Sequence, residues 1–285
     1  MILVLALINN WEMISIDFVI AFSQTATKTD IYMKSPTVPS DLLISDLPKF
    51  MDRFTHFYKI IKNLYGLKDA GRTWHEFLCA GLLDRNWKLS KIDYFLFTKG
   101  GVLVLLYVDC AILISKSNKR IDSEIRLLKY SFNLTGEGPL KYYLGTRFDR
   151  NSDGSIELTQ PRIIQRALKV VGLDVNDQHI KIHDSPASSD KLLDNDPNRK
   201  PRLQPWHYCS DVGCVSYISE MIHPDITIPV QQCARFCNNP RQEHEEAAKR
   251  ICRYLLRVHG KGLILKPDRT CGIKCWVGAY WSGSW

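Results

Sequence analysis

Residues 101–115 read GVLVLLYVDCAILIS, two apolar runs of β-type residues separated by an Asp-Cys pair. Each run has the length and composition of a buried strand, and the short polar interval between them is typical of a hairpin tip. A further apolar run at residues 93–98 precedes a Lys-Gly-Gly turn. The pattern therefore predicts three consecutive strands, with the ionisable side chain of Asp109 at the end of an otherwise apolar hairpin.

A second Asp interrupts an apolar run near the start of the sequence. Residues 13–22 read MISIDFVIAF and predict a strand that ends close to Asp17. A buried carboxylate without a partner is unfavourable, but two carboxylates that meet at strand ends can share divalent cations. Mg²⁺ prefers such oxygen ligands, and two ions about 3.5–4 Å apart support phosphoryl transfer. The alternative is that each Asp is a turn residue or the partner of a nearby Lys.

The composition is that of a globular protein with room for two subdomains. The chain has 285 residues, 45% of them hydrophobic and 24% charged, and a net charge of +8. The basic excess is compatible with a polyanionic partner. No apolar stretch approaches the roughly 20 residues of a membrane helix, so no membrane is expected as a partner. The apolar start, MILVLALINNWE, lacks the basic region of a signal peptide and is expected to be a buried segment.

The nine cysteines are odd in number and scattered, which argues against a disulfide framework. Cys233 and Cys237 are four residues apart, as are Cys271 and Cys275, and His244 lies between the two pairs. A zinc site is one interpretation, although the spacing departs from the usual knuckle. We favour the other, in which Cys233 and Cys237 lie one turn apart on the apolar face of a helix.

Several other segments carry the patterns of regular elements. Helices are predicted within residues 65–87, at 119–133, at 161–171, at about 208–222 and at 241–260. In the first of these the stripe consists of Trp74, Phe77, Leu78 and Leu82. Residues 140–160 predict a hairpin around Ser-Asp-Gly, and residues 40–50 predict a loop. Residues 183–206, rich in Ser, Asp, Asn and Pro, are the best linker candidate.

Five motifs resemble, in the same order, those of reverse transcriptases from Ty1/copia-type retrotransposons. YVDC resembles the YVDD box, and ISIDFVIAFSQ followed by DIYMKSP resembles the first catalytic strand. LYGLKDAGRTW is similar to the family's L-Y-G-L-K-Q-A-P-R-x-W signature. Residues 142–168 resemble the primer-grip hairpin and the start of the thumb, and residues 208–255 resemble the helical segment before RNase H. The resemblance covers nearly the whole chain.

The resemblance implies an α+β protein with an α/β palm, a reverse-transcriptase palm and thumb without its N-terminal fingers. Residues 1–150 would form the partial palm, and 151–182 the end of the primer-grip strand and the thumb helix. The linker at 183–206 would precede a helical thumb or connection segment at 207–266. Residues 267–285 would be a truncated RNase H start. Because Gly278, Tyr280 and Ser284 stand where that domain has acids, no RNase H activity is expected.

At the catalytic positions, the resemblance implies that Asp17 and Asp109 ligate two Mg²⁺ ions, with Mn²⁺ as an alternative. Cys110 falls on the third acidic position, and a soft thiol is a poor ligand for Mg²⁺. Lys68 and Asp69 fall in the nucleotide-binding segment. Asp69 replaces the family's Gln there, and Gly71 replaces its Pro.

The resemblance and the basic residues together suggest where nucleic acid would bind. Tyr142 and Tyr143 would pack against a primer, unless one faces the core and the other solvent, as strand alternation demands. Two basic stripes could follow a phosphate backbone, or could be solvated helix faces. They consist of Arg162, Arg166 and Lys169 and of Lys249, Arg253 and Arg257, the latter accompanied by Arg250 and Lys261.

The expected function is that of an RNA-directed DNA polymerase domain, in a degenerate fragment with weak or no activity. Its partners would be an RNA template, a DNA primer and deoxynucleoside triphosphates, in the cytoplasm or the nucleus. The alternatives are a non-catalytic remnant that binds nucleic acid and a chain that does not fold independently, because absent fingers leave palm surface exposed.

Overall fold

The computed structural model describes residues 2–34, 57–175, 180–188, 198–203, 206–266 and 270. The chain divides into two compact units. One, the sheet unit, is Asn9–Leu140; the other, the helical unit, comprises residues 1–8 and 141–285. The predicted loop at 40–50, Cys271, Cys275 and the expected RNase H start beyond residue 270 lie outside the described residues. The domain boundaries expected from the sequence stay predictions.

The structure mixes helices and strands, as an α+β protein does. The helices are α1 (Ile2–Ile8), α2 (Ala70–Leu83), α3 (Asn118–Lys129), α4 (Pro161–Val170), α5 (Tyr208–Met221), α6 (Thr227–Ala234) and α7 (Gln242–Val258). The strands are β1 (Glu12–Phe18), β2 (Ala26–Lys34), β3 (Phe57–Lys62), β4 (Lys88–Leu89), β5 (Leu96–Lys99), β6 (Val102–Tyr107), β7 (Cys110–Ser115), β8 (Leu134–Pro139), β9 (Tyr142–Tyr143), β10 (Thr146–Arg150), β11 (Ile156–Thr159) and β12 (Leu263–Leu265). Among the described residues, no helix is long and apolar enough to cross a bilayer.

A six-stranded antiparallel sheet in the order β4-β5-β6-β7-β1-β8 forms the sheet unit, beside the separate β2-β3 pair. The three strands predicted from residues 93–115 are confirmed as β5, β6 and β7. Gly100 and Gly101 turn the chain between β5 and β6 with φ of 54° and 80°. A side chain is unfavourable in that left-handed region, which explains the Gly-Gly pair. The register places β1 beside the hairpin that carries Asp109.

One face of this sheet packs against α2 and α3. Alternate residues of each strand point to that face, because side chains along a strand alternate between its two faces. The buried members of this core include Ile16, Phe18, Ala111 and Leu113 from the sheet, Trp74, Leu78 and Leu82 from α2, and Ile121, Ile125 and Leu128 from α3. The stripe predicted for α2 is confirmed for Trp74, Leu78 and Leu82. Phe77 is 41% exposed, although its ring centroid lies 5.6 Å from that of Phe132.

In the helical unit, α4, α5, α6 and α7 share a second core. Its buried residues include Ile164, Leu168, Val212, Val215, Ile251 and Leu255. The predicted hairpin at 140–160 is confirmed, since β10 and β11 pair antiparallel within a small sheet ordered β12-β11-β10-β9. Cys233 is buried on α6, whereas Cys237 lies beyond the end of that helix and is half-buried. The N-terminal apolar segment forms α1, in which Ala6 and Leu7 are buried.

Candidate active site

Asp109 lies on a two-residue turn that a buried tryptophan holds in place. Tyr107 pairs with Cys110 at the end of the β6-β7 ladder, so Val108 and Asp109 form the tip. Val108 has φ of 54°, a conformation that a β-branched side chain rarely adopts. Its carbonyl accepts a hydrogen bond from the indole N–H of Trp74 at 2.6 Å. Helix α2 therefore fixes the strained turn that presents Asp109.

Asp17 stands beside this turn, on the neighbouring strand. In the β1-β7 register Asp17 is directly opposite Cys110, and the amide of Phe18 donates to the carbonyl of Asp109 at 2.6 Å. That bond makes Asp17 and Cys110 a non-hydrogen-bonded pair, whose side chains share one face about 5 Å apart. Because Ile16 and Phe18 point into the core, Asp17 points away from it. The fold thus brings Asp17, Asp109 and Cys110 together, all three half-buried.

Cys110 contributes a thiol where a third acid would stand. The thiol donates to the carbonyl of Tyr107 at 3.2 Å, within the hairpin. The site therefore has two carboxylates and one thiol. A thiol opposite Asp17 also avoids the repulsion that two carboxylates would have at directly opposed positions.

Tyr65 is a fourth member of the site that the sequence did not single out. Its hydroxyl donates to Asp109 Oδ2 at 3.2 Å, and its ring lies 4.4 Å from that of Phe22. Burial raises the pKa of Tyr65, and the charge of Asp109, the hydrogen bond to it and the charge of Asp17 raise it further. The phenol therefore lies near both carboxylates. The one available signal was its place inside LYGLKDAGRTW, the stretch that also contains Trp74.

The donor chemistry of this site fits a hard divalent cation. Two half-buried carboxylates offer the oxygen ligands that Mg²⁺ prefers, and Mg²⁺ sites commonly combine one or two carboxylates with waters and substrate phosphates. In the part of the chain that the structure describes, no group of three His, Cys, Asp or Glu side chains could hold a metal. Asp17 and Asp109 are the residues whose chemistry fits such a cation.

Lys68 and Asp69 lie on the surface between Tyr65 and α2. Both side chains are exposed. The carbonyl of Asp69 accepts the amide of Thr73 at 2.9 Å and so begins the helix that carries Trp74. Their position as nucleotide-binding residues stays a prediction.

In the helical unit, the structure brings two of the expected nucleic-acid contacts together. The guanidinium of Arg162 lies 5.3 Å from the ring centroid of Tyr142, a favourable cation–π distance. Tyr142 is exposed and Tyr143 half-buried, which follows the alternation of a strand. Arg162, Arg166 and Lys169 are all exposed on α4, and their spacing places them on one face.

The basic stripe on α7 is in a different environment, because two of its charges are paired with acidic side chains and a third side chain donates to a backbone carbonyl. Lys249 lies 3.9 Å from Glu245, and Arg257 pairs with Asp184. Arg250 donates to the carbonyl of Ser185 at 3.2 Å. Arg253 is half-buried and Lys261 exposed. Part of the expected linker, residues 184–185, thus contacts this stripe at Arg250 and Arg257.

Comparison with known proteins identifies the family. Residues 1–183, which include the whole sheet unit and α4, match the family described as reverse transcriptase (RNA-dependent DNA polymerase). The Retrovirus-related Pol polyprotein from transposon RE1 of Arabidopsis thaliana is 28% identical over 287 residues, covering 96% of this chain and 18% of that protein. The corresponding polyprotein from transposon TNT 1-94 of Nicotiana tabacum is 29% identical, covering 71% of this chain and 16% of that protein.

A shorter relative is similar to this chain over most of its own length. The Putative transposon Ty5-1 protein YCL074W of Saccharomyces cerevisiae is 26% identical over 242 residues, which cover 82% of this chain and 73% of that protein. The chain spans only 18% of the length of the RE1 polyprotein that it matches. The resemblance noted in the sequence is thereby confirmed: the chain belongs to the reverse transcriptase (RNA-dependent DNA polymerase) family and corresponds to the reverse transcriptase domain of Ty1/copia-type retrotransposon Pol polyproteins.

Proposed function

We propose that this chain is an RNA-directed DNA polymerase domain of weakened activity, in which Asp17 and Asp109 bind divalent cations. The observation that carries the proposal is the register of β1 and β7, which sets Asp17 beside the Asp109 turn. In this reading the sheet unit is the palm, β9 to β11 with α4 form the primer grip and thumb, and α5 to α7 form the connection. Residues 267–285 remain the proposed RNase H start.

The carboxylates of Asp17 and Asp109 would hold two Mg²⁺ ions, or Mn²⁺ in their place. When bound, such ions lower the pKa of the primer 3′-hydroxyl and neutralise charge on the triphosphate. Neighbouring residues hold the two aspartates in position. Trp74 keeps the Asp109 turn in its strained form, and the core residues Ile16 and Phe18 set the direction of Asp17. Lys68 and Asp69 would lie next to the incoming deoxynucleotide.

Cys110 is the reason for expecting weak activity. Two carboxylates face up to four positive charges in a two-metal site, where a third acid would balance them better. The thiol is a soft ligand and a poor match for Mg²⁺. We therefore expect low affinity for the cations and slow nucleotide addition.

The RNA template and DNA primer would lie along the exposed basic face of α4. Arg162, Arg166 and Lys169 can neutralise phosphates, and Tyr142 adds an aromatic surface beside Arg162. Contacts of this kind position a duplex without reading its sequence.

Primer extension on an RNA template, first with Mg²⁺ and then with Mn²⁺, tests the proposal. We expect slow extension that Asp109→Asn abolishes, because that change removes the charge and keeps the shape of the side chain. Cys110→Asp should accelerate it. Extension that survives Asp109→Asn would contradict the proposal, as would an absence of extension that persists in Cys110→Asp.

The same features favour a second candidate, a non-catalytic protein that binds nucleic acid. Two observations support this candidate. Cys110 stands at the third acidic position of the site, and α4 has an exposed basic face. This candidate predicts binding to an RNA–DNA hybrid in the presence of a chelator, with an affinity that falls steeply with salt. It also predicts no extension by the Cys110→Asp variant. A flat salt response would exclude it.

A further inference from the structure

Tyr65 reaches Asp109 from a segment whose backbone is firmly held. Leu64 and Leu67 close a turn through the amide of Leu67 and the carbonyl of Leu64 at 3.2 Å. Gly66 has φ of 98° at the third position of that turn, where a positive φ is required. The Tyr-Gly sequence therefore belongs to a turn that only a residue such as Gly at position 66 can complete.

The residues just before this turn anchor it to the first strands. The side-chain amide of Asn63 is buried and donates to Thr25 Oγ1 at 2.9 Å and to the carbonyl of Ala26 at 3.0 Å. The amide of Asn63 also donates to the carbonyl of Thr25 at 3.0 Å. Because Asn63 lies two residues before Tyr65, its hydrogen bonds hold the backbone from which the phenol side chain extends.

The ring of Tyr65 is 56% exposed, and one aromatic contact supports it. It packs on Phe22 with 4.4 Å between centroids and 37° between planes. This contact leaves the hydroxyl able to make the hydrogen bond with Asp109 Oδ2 at 3.2 Å. Without such a bond, a carboxylate has only the broad, two-fold preference of its last torsion to orient it.

We propose that Tyr65 is a positioning residue, whose hydroxyl fixes the Asp109 carboxylate in the orientation that binds a divalent cation together with Asp17. This inference rests on the proposed function. Hydrogen bonds to ligating carboxylates orient them, and removal of such a partner usually weakens metal affinity about 10- to 100-fold. The opposite role, in which the phenol competes with the cation for Asp109, predicts tighter binding once the hydroxyl is removed.

The test is Mn²⁺ binding by the full chain, followed by the electron paramagnetic resonance signal of free Mn²⁺. Tyr65→Phe keeps the ring that packs on Phe22 and removes only the hydroxyl. We expect it to bind Mn²⁺ about tenfold more weakly than the wild type. Tyr130→Phe is the matched control, because Tyr130 is 86% exposed after α3, and its affinity should equal that of the wild type.

Asp17→Asn and Asp109→Asn separate this inference from the proposed function. If both carboxylate variants lose Mn²⁺ binding while Tyr65→Phe keeps wild-type or tighter affinity, the positioning role is wrong and the metal site stands. If the wild type binds no Mn²⁺, or the carboxylate variants bind it as the wild type does, the metal site itself is wrong and the role of Tyr65 falls with it. Thermal unfolding of Tyr65→Phe without metal, unchanged from the wild type, would show that the loss of affinity is not a loss of fold.

Discussion

Asp17 faces Cys110 directly across the β1-β7 ladder, so an acid and a thiol occupy opposed positions on one face of the sheet. An acid at position 110 would create two directly opposed negative charges, an arrangement that destabilises a sheet unless a cation lies between them. The thiol removes this repulsion and, with it, part of the attraction for a cation. The same pair therefore links the stability of the metal-free protein to its affinity for metal.

The first prediction concerns Cys110→Asp. Without metal, we expect the free energy of unfolding to fall by about 1 kcal/mol, because the new carboxylate repels Asp17. With saturating Mn²⁺, the variant should gain more stability than the wild type does, since a ligand that binds the folded state stabilises it by an amount that grows with the logarithm of its concentration divided by its dissociation constant. Thermal unfolding with a chelator and with Mn²⁺ measures both effects. Cys110→Asn is the control of matched size, and an equal response of the two variants to Mn²⁺ would contradict the prediction.

The second prediction concerns the hydrogen bond from Trp74 to Val108. Trp74→Phe should destabilise the protein more than Trp87→Phe does, although both indoles are fully buried. Both changes remove ring volume. Only Trp74→Phe also leaves the Val108 carbonyl without its donor. The indole N–H of Trp87 has no hydrogen-bond partner among the described residues, so Trp87→Phe breaks no such bond. The expected difference is about 1–3 kcal/mol in denaturant unfolding. Equal losses would show that the bond does not hold the turn.

Local patterns in the sequence were enough to predict much of the sheet unit. The apolar runs, the Gly-Gly turn and the three-to-four stripes are all properties of neighbouring residues, and they predicted β5 to β7, α2 and α3 correctly. The contact between Tyr65 and Asp109 joins residues 44 apart, and that between Trp74 and Val108 joins residues 34 apart. No periodicity encodes such pairs, so the sequence shows the motif around Tyr65 but not the role of its phenol.

The two basic stripes show that contacts between distant residues at a helix surface are likewise not visible in the sequence. From the sequence, the stripes on α4 and α7 were equivalent. Arg257 is paired with Asp184, and Arg250 donates to the carbonyl of Ser185, both partners belonging to a segment that composition marked as linker. The sequence shows how many basic residues a stripe contains. Whether those residues are paired depends on which distant segment of the chain packs beside them.

The third prediction uses two glycines in helix interiors. A Cβ at Gly81 of α2 would lie 2.5 Å from the ring of Phe132, whereas nothing lies within 4 Å of one at Gly213 of α5. Gly81→Ala should therefore cost about 1–3 kcal/mol through overpacking against the Phe132 ring. Gly213→Ala should stabilise by about 0.5–1 kcal/mol, because alanine favours the helix. Thermal unfolding measures both, and stabilisation by Gly81→Ala would show that Phe132 moves aside at little cost.

The fourth prediction concerns a buried acid in the helical unit. Asp211 is fully buried in α5, where its Oδ2 accepts from the thiol of Cys252 at 3.6 Å, and its Oδ1 has no hydrogen-bond partner among the described residues. Burial raises the pKa of Asp211 from 3.8 to about 7. The folded state therefore keeps a proton that the unfolded state loses above about pH 4. Between these two values the free energy of unfolding should fall as pH rises, by up to about 1.4 kcal/mol per pH unit.

Asp211→Asn removes this dependence, because the amide resembles the protonated acid and does not ionise. Relative to the wild type, the variant should gain stability as pH rises from about 4 to about 7, and the gain should then level off. Urea unfolding of both proteins across that range gives the difference, in which the other titrating groups cancel. A constant difference between the two proteins would mean that Asp211 ionises normally in the folded state.

The fifth prediction separates the two basic stripes by their use in nucleic-acid binding. Arg166→Gln removes an exposed charge from α4, and Arg257→Gln removes one that Asp184 already neutralises. If α4 follows the phosphate backbone, Arg166→Gln should weaken binding to an RNA–DNA hybrid and lower the slope of log affinity against log salt by about 0.9, the value for one lost phosphate contact. Arg257→Gln should change that slope much less, since its charge is already paired within the folded chain. Fluorescence anisotropy over a range of salt concentrations measures both slopes, and a larger change for Arg257→Gln would assign the duplex to α7 instead.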